Sequence, residues 1–460
     1  MKRLRVPARR LRSSAKWSSN DWPAKWLKKA FTPRLRASVV IPAFDNEQIL
    51  EAVLAGLAKQ TYPNELVEVI VADDGSNPPL DPRLPDYPSV AIERQGDEGF
   101  RAGAARNLGA HKATGEVLVF LDSDMIPERE WLLEHMRLHH NCFWALGCGL
   151  RRHVDSRSIT WSHVENADRV RDLFSGDEIR VPRFILDYWA DHEDGRKDPS
   201  TVWRVTSSGN LSISAEAFWA VGGFDERICG WGGEDNDLGY RLYQRGAMVV
   251  PVHTAMAWHV GWGTYDSETI DESRRRTREI LASRIPDKGL PTLDGIQPIV
   301  PELWIRLLAD DREYSDLKFL AVSALSARIS AVVSFEFSVT SPVMETARTV
   351  FAADSRIAVG GPDAGPDDWA YAPVVLQTAD TAWESAQLDG IVRRVGEGAL
   401  AQMTVHHESG SRSTATLSRV VEQVRVGLVE ESEALRRFGH EHVSQRNLGT
   451  ELLSLAIQDE

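Results

Sequence analysis

The chain reads as an α/β protein organised on a doubly wound sheet with its ligand at the strand ends. Two observations predict this class. From Ser38 to His139 short β-branched runs alternate with helical patterns, as a parallel sheet with crossover helices requires. Two of those runs end in acids, Asp73-Asp74 and Asp122-Ser123-Asp124, at the carboxyl ends where open α/β sheets hold ligands. Composition agrees, because 460 residues with 42% hydrophobic and 26% charged side chains suffice for two globular domains.

Taken in order, residues 1–36 form a basic tail with twelve Lys or Arg against one acid, Asp21. Its Trp17, Trp22, Trp26 and Phe31 add aromatics, a mixture that suits peripheral contact with an anionic membrane surface. A solvated tail is the plainer reading. Taking that +11 from the chain's net −14 leaves −25 on the rest, so nucleic acid is an unsuitable partner. Ser38–Ile41 is a strand stopped by Pro42, and Asn46 opens a helix carrying Ile49, Leu50, Val53, Leu54 and Leu57 on one side. Leu66–Ala72 is the second strand and Val90–Glu93 the third. Gly99–His111 is a small-residue helix able to press close to a sheet. Glu116–Leu121 is the fourth strand, and Pro127–His139 a helix carrying Trp131.

The fourth strand runs into VLVFLDSDM, Val117 to Met125. The two-residue spacing of Asp122 and Asp124 matches the strand period, which would put both carboxylates on one side of an extended backbone and suit a divalent cation carrying a diphosphate. Between Leu150 and Thr206 the pattern loosens into an aromatic-rich insertion, read as an acceptor-side wall. Ser207–Ser214 is another strand. Trp231-Gly232-Gly233 then leads into Glu234, Asp235 and Asp237 at the start of a helix, more acid than capping requires. Residues 247–260 give two short apolar runs ending in His253 and His259. The first domain is expected to span 37–275 and a second, smaller α/β or α+β domain 298–460. That second part has helical patterns at Leu303–Leu308 and Thr416–Phe438 and strands at Ala331–Val339 and Val374–Gln377. It has no second D-x-D at a strand end, no second W-G-G-E-D, and the chain shows no internal repeat in its residues. Cys142, Cys148 and Cys229 are too few for a disulfide framework, which favours a reducing, cytoplasmic setting.

From Ala37 to Trp262 the pieces VVIPAFDNEQIL, VIVADDGS, GAARNLGAHKATGEVLVFLDSD, GNLSIS, GGFDE, GWGGEDNDLGYRLYQRG and AMAWH stand in one order. In that order and spacing the chain resembles family 2 type glycosyltransferases of the Rossmann-like GT-A fold. Its last pieces look most like chondroitin-polymerase-type and β-1,4-galactosyltransferase-type enzymes. The resemblance implies that Pro42, Ala43 and Asp74 hold the uracil and ribose of a UDP-sugar, that Arg106 and Asp122 lie at the nucleotide or sugar, and that Trp231 stacks on a sugar face. It further implies that Asp124 and His259 bind Mn²⁺ or Mg²⁺, with Asp235 as general base and Glu234 beside it on the acceptor. Asn236 stands where some relatives have an acid.

The expected reaction is a metal-dependent, inverting transfer of one sugar from UDP to a hydroxyl of a glycan or glycosylated acceptor. A nucleotidyltransferase also uses an α/β sheet and acidic metal sites, but it would carry a basic Gly-rich loop after the first strand, and Pro42–Leu50 has no Lys or Arg. The other alternative is a non-catalytic sugar-binding or scaffold protein on the same fold, against which the joint presence of Asp122, Asp124, Asp235 and His259 speaks.

Overall fold

The structure is a computed structural model. It describes residue 20, residues 22–286 except 157, 198 and 262–266, and residues 300–444 except 328–330, 362–363, 367–368, 370, 379–382, 384, 393–394, 396–401, 407–411, 418 and 420–439. The chain divides into one unit of Ser18–Tyr243 and Ala247–Leu281 and another made chiefly of Ala282–Glu460.

In the first unit the strands are β1 (Ala37–Ala43), β2 (Val67–Asp73), β3 (Ser89–Arg94), β4 (Val117–Leu121), β5 (Met125–Pro127), β6 (Ala145–Val154), β7 (Ile179–Arg180), β8 (Asn210–Ser214) and β9 (Met248–Val260). Their order is β3-β2-β1-β4-β8-β6-β9-β5, with β7 on β6. β3, β2, β1 and β4 are parallel, as the alternating pattern predicts. The alternation that predicts the doubly wound sheet ends with the helix Trp131–Asn141; of the strands that follow, β8 runs antiparallel to both β4 and β6, making the sheet mixed. The chain does not cross over again after β4 but turns back at Asp122–Met125, and the neighbouring strand comes from GNLSIS.

Helices α1 (Glu47–Ala58), α2 (Ala102–Lys112) and α3 (Trp131–Asn141) cover the sheet. α1 buries Leu50, Val53, Leu54 and Leu57, the stripe its spacing predicts. α2 approaches β1 so closely that a Cβ at Gly109 would lie 2.5 Å from Val40 Cγ1. Burying Val39, Val40, Ile41 and Val117–Leu121 from water is the main favourable term holding this sheet together. The insertion supplies the short helices α4 (Trp161–Asn166) and α5 (Arg183–Asp191); α6 (Ala215–Ala220) follows β8 and α7 (Glu234–Gln244) precedes β9.

β9 is one strand where two runs are expected. Gly149 pairs with Val252 and Leu150 with Met256, so His253-Thr254-Ala255 bulge out between them. Residues 22–36 do not stand free either. Asn20 is fully buried and bonds Gly195 O and Val249 O, Trp22 donates to Asp194 O, and Phe31 lies against His140 and Arg137. Trp22 and Phe31 are thus engaged in packing, and Trp26 is half-buried, while Trp17 and the rest of residues 1–19 of the expected tail 1–36 lie outside the described residues. No helix among the described residues is long and apolar enough to cross a membrane.

The second unit contains β10 (Leu303–Leu308), α9 (Tyr314–Leu325), β11 (Ala331–Glu336), α10 (Pro342–Phe351), β12 (Ile357–Gly360), β13 (Val374–Thr378), β14 (Gln402–His406), β15 (Arg412–Leu417) and β16 (His440–Ser444); α8 (Ser267–Ala282) precedes it. Leu303–Leu308 is therefore a central strand, not a helix; five apolar residues and Arg306, buried up to Leu307 with little alternation, carry no period that separates the two. Thr416 and Leu417 belong to β15, and most of the helix expected beyond them lies outside the described residues.

The order in this sheet is β12-β11-β10-β13-β15-β14-β16. Its first four strands are parallel, β15 is antiparallel to both neighbours, and β16 is parallel to β14. The run β3-β2-β1-β4-β8-β6-β9 has the same chain order and the same senses. The two units are one topology used twice, a repeat absent from the residue pattern.

Candidate active site

At the end of β1, Ala43 O accepts from Asp74 N at 2.9 Å, joining Pro42-Ala43 to the acidic end of β2. The Asp74 carboxylate is buried and already held by Gln95 Nε2 and by Arg101 N at 3.0 Å. It fixes the loop entering α2.

The D-x-D segment departs from its expected form. β4 stops at Leu121, and Asp122–Met125 is a turn closed by Met125 N to Asp122 O at 3.0 Å. The two carboxylates consequently meet different partners. Asp122 Oδ1 accepts from Arg106 Nη2 at 2.6 Å, while Asp124 Oδ2 lies 2.9 Å from His259 Nε2.

Arg106 joins the parts. Buried on α2, it bonds Asp122 with one nitrogen and Glu234 Oε1 with the other, at 3.1 Å. A guanidinium shared by two carboxylates from distant segments stabilises the charge that each would impose on the other. The D-x-D turn and the start of α7 are therefore tied to one guanidinium. Entry into α7 depends on Gly232 and Gly233, whose φ of +90° and +98° a side chain would strain. Of the acids there, Asp237 is paired with Arg241 at 2.7 Å and serves packing. Asn236 does likewise, with Nδ2 donating to Trp203 O and Arg204 O at 3.2 Å. Asp235 differs. Withdrawal from water, then the charge of Glu234, push its carboxyl up to about 7, with Arg106 and Arg151 opposing. Trp231 is 48% exposed, which suits contact with a ligand better than core packing.

His259 is placed by two ladders, opposite Met125 of β5 and opposite His153 of β6. His253 sits in the β9 bulge, 2.9 Å from Asp194, and takes no part. Asp124 Oδ1 is buried without a hydrogen-bond partner, so the pair offers an unused oxygen beside an imidazole nitrogen. That donor set fits a divalent cation, and Mn²⁺ better than Mg²⁺, which prefers an all-oxygen shell. Among the described residues no cluster of three or more His, Cys, Asp or Glu could hold a metal, so a cation here would draw its remaining ligands from a diphosphate and water.

Three neighbours escape the sequence reading. Arg151 on β6 donates to Ser207 Oγ at 2.7 Å, and its charge is felt by Asp122, Asp235 and Asp124 alike. His153 meets His259, their Nδ1 atoms 2.7 Å apart. Asn210 Nδ2 donates to Leu150 O and Ala255 O, pinning the bulge. Only strand register brings these together; the nearest signal is the strand-like run LGCGLRRHV itself.

Residues 38–192 match the glycosyl transferase family 2 domain, and 197–260 match the family described as N-terminal domain of galactosyltransferase. Chondroitin synthase of Escherichia coli is 29% identical over 290 residues, covering 58% of this chain and 42% of that protein. Validoxylamine A glucosyltransferase of Streptomyces hygroscopicus subsp. limoneus is 34% identical over 261 residues, 54% of each chain. The chain thus spans about half the length of these relatives. Among solved structures, a mannosyltransferase from Pyrobaculum calidifontis in complex with GDP-Man and Mn²⁺ is 16% identical, with a TM-score of 0.38, covering 58% of this chain and 70% of that one.

Proposed function

We propose that residues 37–262 form a glycosyltransferase that moves one sugar, with inversion, from a UDP-sugar to a hydroxyl of a glycan or glycosylated acceptor. The observation that carries this reading is Arg106 bonded at once to Asp122 and Glu234, which ties the D-x-D turn to the acidic start of α7. Pro42, Ala43 and Asp74 would receive the uridine and Trp231 a sugar face. Asp124 and His259 would hold Mn²⁺, which when bound supplies the Lewis acidity that favours departure of UDP. Arg106 holds the Asp122 and Glu234 carboxylates in place through its two ion pairs, and Arg151 adds a second positive charge close by. Asp235 would take the acceptor proton as the oxygen attacks the anomeric carbon, and Glu234 would orient that hydroxyl. A carboxyl raised to about 7 is a stronger base than an ordinary aspartate and remains substantially ionised at neutral pH.

A panel of UDP-sugars with Mn²⁺, scored for UDP release without acceptor, tests the reading. Slow hydrolysis of one donor is expected and would name the sugar. No release from any donor, together with no thermal shift from UDP, would leave a sugar-binding scaffold as the better description.

A further inference from the structure

We infer that His153 is a positioning residue for the cation site, holding the His259 ring so that Nε2 faces Asp124; this rests on the function proposed above. The two rings meet edge to face, with centroids 4.8 Å apart at 81°, and their Nδ1 atoms are 2.7 Å apart. Two imidazole nitrogens at that distance share one hydrogen, so one ring donates and the other accepts. When His259 presents a bare Nε2 to a cation, its ring hydrogen must sit on Nδ1, and His153 Nδ1 is then the acceptor that fixes it there. A ligand histidine whose second nitrogen is held in this way has its tautomer and orientation set in advance. Backbone reinforces the contact. His153 and His259 are paired in the β6–β9 ladder, just beyond the bulge, while β5 holds the other edge of β9. His153 is buried, 4% exposed, with its Nδ1 against His259, so its action on a cation passes through His259.

Manganese EPR, which counts free Mn²⁺ in the presence of saturating UDP, reads this directly. His153→Phe keeps a buried ring without an acceptor and should raise the Mn²⁺ dissociation constant about 10- to 100-fold. His153→Asn, which restores an acceptor oxygen, should recover most of that loss, and UDP affinity without cation should stay at the wild-type value in both. If His153→Phe does not fold, His153→Gln and His153→Leu make the same comparison, since only the first can accept. A folded acceptor-less variant with wild-type Mn²⁺ affinity, or equal affinities within the pair, overturns the inference. His259→Ala separates the two levels: if it too leaves Mn²⁺ affinity unchanged, the cation assignment falls along with the role of His153.

Discussion

Asp235 and Arg106 carry the strongest consequences at the scale of single residues. Asp235→Asn removes the proposed base while keeping the shape, so turnover should fall at least about 100-fold with UDP affinity nearly intact. Loss of UDP binding instead would assign Asp235 to the donor. Because the carboxyl must be ionised to accept a proton, and its folded value is raised to about 7, kcat/KM should rise with pH through that region and level off above it. A profile flat down to pH 5 would contradict the assignment. Arg106→Met strands two carboxylates beside each other, and a loss of about 3–5 kcal/mol in denaturant unfolding is expected, as for breaking a buried ion pair from one side. Arg106, Asp122, Asp124, Glu234, Asp235 and His259 could be singled out from residue type and order, and the structure joins Arg106 to Asp122 and Glu234 and Asp124 to His259. The spacing argument for Asp122 and Asp124 did not hold, because their backbone turns instead of staying extended.

Among the elements, β9 and α3 decide how the site is held. The bulge at His253–Ala255 resets the register so that His259 meets both β5 and His153, and Asn210 secures it from β8. Behind that strand, His135 and His139 of α3 share Ser212 Oγ at 2.8 and 2.9 Å, and Asn210 Oδ1 also receives Trp131 Nε1. Burial pushes these imidazoles down, His135 to about 4 and His139 to about 3. They stay neutral in the fold while the unfolded chain takes up protons below about 6.5. Stability should therefore fall as pH drops from about 6.5 toward 4, with part of the slope removed in His139→Phe. An unchanged pH dependence in that variant, measured by thermal unfolding, would show that His139 does not contribute. Strands β1, β2, β3, β4 and β8 were readable from their β-branched and apolar runs, whereas β6 was not singled out. Pairing beyond β4 was not readable, since antiparallel β8 and the bulge are set by register, which one strand's residues do not encode. Leu303–Leu308 misled for the related reason that a short strand buried up to Leu307 shows little alternation.

Across the molecule, one topology occurs twice. Ala37 pairs with Val67 and Val117, and Leu303 pairs with Ala331 and Val374. Counting from those anchors, Asp74 corresponds in sequence to Ser338, and Asp122 and Asp124 to Ala379 and Thr381. The strand ends of the repeat differ at these positions, although Asp380 stands between Ala379 and Thr381, so the repeat surfaces in the sheet order and not in the residue pattern. The second unit is accordingly expected to lack the grip on a cation and diphosphate proposed for the first. Calorimetric titration of UDP into the whole chain, with and without Mn²⁺, tests this most directly. One UDP per chain, bound tightly only with Mn²⁺ and losing that dependence in Asp124→Asn, is the expected result. Two equivalents, or affinity indifferent to the cation, would contradict it.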